Sequence, residues 1–122
     1  MPKTILITGS TDGIGKLTAK RLAAQGHTIL LHGRSPEKLE AAASEVGGTT
    51  ESYVADLSRM GDVEALAAQV LERHKELDVL INNAGVLKTP RPTTPEGLDV
   101  RFVVNTIAPY VLTRRLLPII PK

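Results

Sequence analysis

Thr8-Gly9-Ser10-Thr11-Asp12-Gly13-Ile14-Gly15 is the stretch of this 122-residue sequence best suited to holding a phosphate. It follows the apolar run Thr4-Ile5-Leu6-Ile7 and precedes a helical pattern, so it joins a first strand to a first helix. A helix start offers unpaired amides and the positive end of a dipole, and phosphate settles there when the backbone can come close. Gly9 allows the tight turn, Gly13 clears space, and Gly15 lets helix and strand pack together. Structural turns use glycine as well, and it is the place after the first strand that favours a phosphate loop. Gly15-Lys16 echoes the loop of nucleotide triphosphatases, but Ser10 stands where that pattern needs glycine and Leu17 where it needs a hydroxyl for magnesium.

A second group lies at the end of the next strand, His32-Gly33-Arg34-Ser35. A dinucleotide fold that takes NAD usually has an acid here for the ribose hydroxyls, and this stretch has none. Arg34 offers forked donors to a 2′-phosphate, and Ser35 can add a hydrogen bond. NADP is therefore expected, with NAD as the alternative. The plain alternative for Arg34 is a solvated side chain before a helix, with Asp12 close enough to weaken a phosphate site. Asp56-Leu57 and Asn82-Asn83-Ala84-Gly85 end two further strands. Ligands of open parallel sheets bind beyond such carboxyl ends, so small and polar residues gather on one edge.

The elements that must carry these groups alternate between two hydrophobic periods. Strands are expected at Thr4–Thr8, Thr28–Leu31, Ser52–Ala55 and Asp78–Ile81. Helical patterns cover 14–25, the segment opened by Ser35-Pro36 with Leu39, Ala42, Ala43 and Val46 on one face, and the stripe Val63, Leu66, Ala67, Val70 and Leu71. Residues 86–95 hold three prolines and read as a loop. Thr94-Pro95-Glu96 then opens a long apolar segment that reaches about Ile120. Unbroken apolar strands between amphipathic helices specify an α/β chain with both sheet faces covered. Right-handed crossovers make it a Rossmann-like, doubly wound parallel sheet of about four strands, expected as one domain over residues 1–122.

Composition removes several classes of function. Aromatic residues make up 2% of the chain, too few for a stacking surface for single-stranded nucleic acid. There is no cysteine, hence no disulfide, thiolate metal site or cysteine nucleophile. His27, His32 and His74 have no metal-ligand spacing and read as surface or strand-end residues. No apolar run reaches the roughly 18 residues of a membrane span, and the start has no signal-peptide layout. Cytoplasmic location, without nucleic-acid or membrane partners, is the expectation. The net charge is +2, with the basic excess gathered in residues 85–122. Such an excess is either a solvated face or a rim that attracts an anionic ligand.

The Thr8-to-Gly15 loop, Asp56-Leu57, Asn82-to-Gly85 and Asn105-Thr106-Ile107-Ala108-Pro109-Tyr110 together resemble the motifs of the short-chain dehydrogenase/reductase family, in order and over essentially the whole chain. The resemblance implies that residues Gly9 to Gly15 bind the pyrophosphate and adjoining ribose, that Asp56 and Leu57 lie beside the adenine, and that Asn83, Ala84 and Gly85 run along the cofactor. It implies hydride transfer between NADP(H) and a carbonyl or alcohol substrate. Asn105 is the catalytic residue it assigns, through a bound water that feeds a proton relay. The residues themselves leave two readings of Asn105 open. Pro109 lacks the N–H that the Asn105 carbonyl would accept, so the position is either a proline kink with a locally bonded amide or that water site.

The sequence departs from the family in one respect. Members carry a catalytic serine and a Tyr-x-x-x-Lys pair further along, and no serine follows Ser58 here. Tyr110-Val111-Leu112-Thr113-Arg114 mimics the spacing, but Tyr110 falls inside the asparagine motif and reads as core or interface, while arginine holds its proton too firmly for a relay. The expectation is the cofactor-binding half of a dehydrogenase, inactive alone, its small-molecule substrate taken only by a complete chain. The alternative is a non-catalytic dinucleotide-binding or interaction module. Self-association is expected through the edge of the fourth strand or the helix around 98–120.

Overall fold

Four short apolar runs form one parallel sheet in the computed structural model, which describes residues 2–86 and 89–121. The strands are β1 (Thr4–Ile7), β2 (Thr28–Gly33), β3 (Thr50–Val54) and β4 (Val79–Ile81), in the order β3-β2-β1-β4. Helices α1 (Gly13–Ala24), α2 (Pro36–Val46) and α3 (Met60–Arg73) make the crossovers. Strand order therefore reverses at β1, which makes it the topological switch point of the sheet.

Both faces of the sheet are covered, which explains why the strands are apolar throughout rather than alternating. Ile5, Ile7, Ile29 and Leu31 pack against α1 and α2 through Ala19, Leu39 and Val46. Leu6, Leu30 and Tyr53 point the other way, against Val63, Leu66 and Val70 of α3. The register pairs Ile5 with Ile29 and Val79, and Ile7 with Leu31 and Ile81, so each layer stays in line across the sheet. At the outer strand, burial and the neighbouring Glu51 push the Tyr53 hydroxyl up to about 12. Its Oη donates to that carboxylate at 2.8 Å.

Element boundaries differ from expectation by a residue or two. β1 stops at Ile7 because Thr8 already turns into the loop, and β3 begins at Thr50. The segment after residue 95 differs more. Thr94 closes a turn, its hydroxyl accepting the Leu98 amide at 3.1 Å, and Asp99 rather than Thr94 caps the helix by accepting the Arg101 amide at 2.8 Å. Helix α4 (Val100–Phe102) passes into a π-helical turn (Val103–Ile107), then α5 (Ala108–Leu116) and a 3-10 turn (Leu117–Ile119). Pro109 supplies no amide, and the Ala108 amide reaches back five residues to the Val103 carbonyl, the π-type bond that lets the helix continue through the proline. The loop expected over 86–95 includes Leu87 and Lys88, which lie outside the described residues. Tyr110 is not core: it is 63% exposed, with the Arg114 guanidinium 5.9 Å from its ring centre.

Candidate functional site at the carboxyl edge of the sheet

The loop between β1 and α1 is shaped by two close approaches. Gly9 has φ +63°, and a Cβ there would stand 2.9 Å from Ala84 Cα. A Cβ on Gly15 would collide with the Gly9 carbonyl oxygen and lie 2.5 Å from Asn83 Nδ2. At Gly13 a Cβ would meet nothing among the described residues, and its φ of +56° favours glycine.

Neighbouring strand ends hold the loop in place. Thr8 Oγ1 accepts the amides of Asn83 and Ala84, each at 3.0 Å. Asn83 Nδ2 donates to the carbonyls of Thr8 at 3.2 Å and Gly9 at 3.0 Å. From the other side, the Ser10 amide donates to the His32 carbonyl at 2.9 Å, and Ser10 Oγ accepts the His32 amide at 2.9 Å. Both polar groups of Ser10 are thus engaged inside the protein. Asn83 likewise spends its side-chain amide on the loop. Each was expected at the cofactor, and each is seen supporting the backbone around it.

The start of α1 is open. Asp12 is its N-cap residue but makes no side-chain cap hydrogen bond, and the first turn carries no acid. Without a cap, the first-turn amides of Gly13, Ile14 and Gly15 have no helical acceptor. At α2, by contrast, Ser35 Oγ accepts the Lys38 amide at 3.3 Å and donates to Glu37 at 3.0 Å. Ser35 is the expected N-cap, and its hydroxyl is already in use.

Arg34 is exposed at the end of β2. Just before it, a Cβ on Gly33 would lie 2.5 Å from Thr11 Cγ2, so Thr11 of the loop leans over the β2 end. Asp56 Oδ1 accepts the Ser58 amide at 2.9 Å and its hydroxyl at 2.7 Å, and the Asp56 amide donates to Asp62. Leu57 is buried against α3. Gly85 is exposed, with the place of a Cβ 3.5 Å from Asn105 Oδ1.

Asn105 is exposed rather than buried, and its amide is not bonded locally. Oδ1 accepts the Val86 amide at 2.7 Å and Nδ2 donates to the Val86 carbonyl at 2.9 Å. The residue that sequence reasoning undervalued is His32, which is 2% exposed and sits between the loop and β3. Its strand-end position was readable, but its burial follows from the pairing of β2 between two neighbours. Among the described residues no group of His, Asp and Glu could hold a metal, and no helix is long and apolar enough to cross a membrane.

The family model for short chain dehydrogenases matches residues 3–122. Human retinol dehydrogenase 13 is 40% identical over 120 residues, which are 94% of this chain and 36% of that protein. A metagenomic short-chain oxidoreductase solved in complex with NADP superimposes with a TM-score of 0.83 at 38% identity, over 95% of this chain and 55% of the other. The 3-ketoacyl-(acyl-carrier-protein) reductase of Brucella melitensis, complexed with NADH, gives a TM-score of 0.80 at 34% identity over 96% and 49%. This chain thus spans about a third of the curated relative and half of the solved chains. An open helix start at the switch point, in a chain matched almost end to end, places the protein in the short-chain dehydrogenase family.

Proposed function

We propose that this chain forms the dinucleotide-binding part of an oxidoreductase that prefers NADP(H) and exchanges hydride with a carbonyl or alcohol substrate. The uncapped start of α1 carries the reading, because its amides and dipole suit a pyrophosphate and no cap side chain occupies those amides. Gly9 to Gly15 would hold that group, with Ile14 on the exposed side of the helix. Asp56 and Leu57 would border the adenine, and Asn83 to Gly85 the ribose and nicotinamide.

Preference for NADP(H) rests on Arg34. It stands exposed where NAD-specific folds place an acid, and its charge is free of any salt bridge among the described residues. Bound NADP(H) would supply the hydride or accept it. This chain's own part is to bind and orient the dinucleotide, and Asn105 would hold a water for proton transfer beside the π-helical turn. A fluorescence titration tests the reading: NADPH should bind more tightly than NADH. Equal affinities would remove the argument from Arg34, and no binding of either would remove the function.

A further inference from the structure

His32 supports the phosphate loop from below, by a geometry that permits one protonation state. Its Nδ1 lies 2.9 Å from the Gly9 amide nitrogen, and its Nε2 lies 2.9 Å from the Ala55 carbonyl oxygen. The Gly9 amide can only donate and the Ala55 carbonyl can only accept. The ring must therefore carry its proton on Nε2 and keep Nδ1 bare. Thr8, Ser10 and His32 are all buried here, and the Ser10 hydroxyl and amide fix the backbone of His32 itself.

We propose that His32 is a positioning residue for the dinucleotide: its neutral ring holds the Gly9 amide and so sets the loop, and a proton on Nδ1 breaks that hold and weakens binding. The proposal rests on the dinucleotide-binding reading above. A second ring proton would set two donors, Nδ1–H and the Gly9 N–H, against each other at one short contact. Gly9 cannot retreat, because its Cα faces Ala84 and its carbonyl is held by Asn83. The loop would have to shift, and the open amides of α1 with it.

Surrounding groups agree with a neutral ring. Burial pushes the His32 imidazole below its usual value, against the opposing pull of the Ala55 carbonyl and the charge of Asp56. Asp56 is itself engaged with Ser58, and its amide with Asp62. Arg34, two residues along β2, is exposed, and the loop face presents Thr8, Gly9 and Ser10, which carry no charge. Sequence alone could not reveal this, since the two ring contacts each join residues 23 positions apart.

Two variants separate the ring's two bonds. In His32→Asn the side-chain oxygen can replace Nδ1, and in His32→Gln the side-chain amide can replace Nε2–H. Nitrogen-15 spectra of the wild-type imidazole should show the Nε2–H tautomer and report its titration. Calorimetry with NADP+ should then show an apparent Kd that rises about tenfold per pH unit below that titration, as the competent fraction falls. His32→Asn should bind nearly as wild type at pH near 7.5 and lack the extra slope, while the phosphates of NADP+ titrate alike in both. His32→Gln should bind about tenfold more weakly at every pH, because the Gly9 amide is left without an acceptor. An Nδ1–H tautomer, or a wild-type slope no steeper than that of His32→Asn, would overturn the proposal without touching the functional reading. Absence of NADP+ binding by wild type at pH near 7.5 would overturn both.

Discussion

Asn105 closes a two-bond ring on Val86, accepting its amide at 2.7 Å and donating to its carbonyl at 2.9 Å across 19 residues of sequence. The contact imitates one rung of a β-ladder with a side chain. It fixes the backbone just after Gly85 to the π-helical turn, so the strand end and the helix move together. Replacing Asn105 by Ala removes both bonds. Because the pair is exposed, the loss should be about 1 kcal/mol, seen as a lower urea midpoint with an unchanged slope. A midpoint equal to that of wild type would show that water replaces the ring without penalty.

Gly15 and Gly13 should respond differently to the same added methyl group. Gly15→Ala drives a Cβ into the Gly9 carbonyl, which the Asn83 side chain holds in place, and should cost about 3 kcal/mol or more. Gly13→Ala meets open space and bears only the strain of a positive φ, about 1–2 kcal/mol. Equilibrium unfolding of the two variants checks the order, and the reverse order would contradict the packing described at the β1–α1 loop.

Arg34→Asp should exchange the dinucleotide preference. A forked cation facing a 2′-phosphate contributes on the order of 2 kcal/mol, so NADPH should bind at least tenfold more weakly while NADH gains a ribose acceptor. Titration of both ligands against both proteins gives the ratio. An unchanged ratio would place the 2′-phosphate elsewhere.

Leu112 of α5 and Leu117 of the 3-10 turn that follows it separate core from surface. Leu112 is 1% exposed between α3 and α5, and Leu112→Ala should destabilise by about 2–5 kcal/mol. Leu117 is 56% exposed, and Leu117→Ala should stay within about 0.5 kcal/mol. A large loss at Leu117 that disappears on dilution would instead point to burial between molecules.

Self-association is the expected behaviour of the isolated chain. Among the described residues β4 pairs on one side only, with β1, and Phe102 of α4 and Tyr110 of α5 stand more than half exposed. Sedimentation velocity should show a mass that grows with concentration. A monomer at every concentration would argue that the edge is shielded.

Sequence reading captured what depends on local pattern. The β1–α1 glycine loop, the Ser35-Pro36 helix start and the alternation of strand and helix follow from short-range propensity and period, and the structure has each in place. What escaped depends on pairing at long range. Ser10 and Asn83 are polar residues beside a ligand edge, and nothing in their spacing shows that their side chains turn inward to hold backbone. His32 looks like any strand-end histidine until β1 and β3 close on both sides of β2. Tyr110 carries an aromatic ring in an apolar run, yet the turn of the helix directs it outward.

Residues at the head of the chain wait on residues far behind them. Thr8 receives the amides of Asn83 and Ala84, a separation of 75 and 76 positions, and Ile5 aligns with Val79. During synthesis the first strand emerges early but stays half clothed until the fourth arrives, and contacts at such distance are slow to form. The ribosome therefore releases the anchor of the β1–α1 loop only after two thirds of these residues have appeared. A nascent chain stopped before that point would carry the whole glycine motif and still lack its floor.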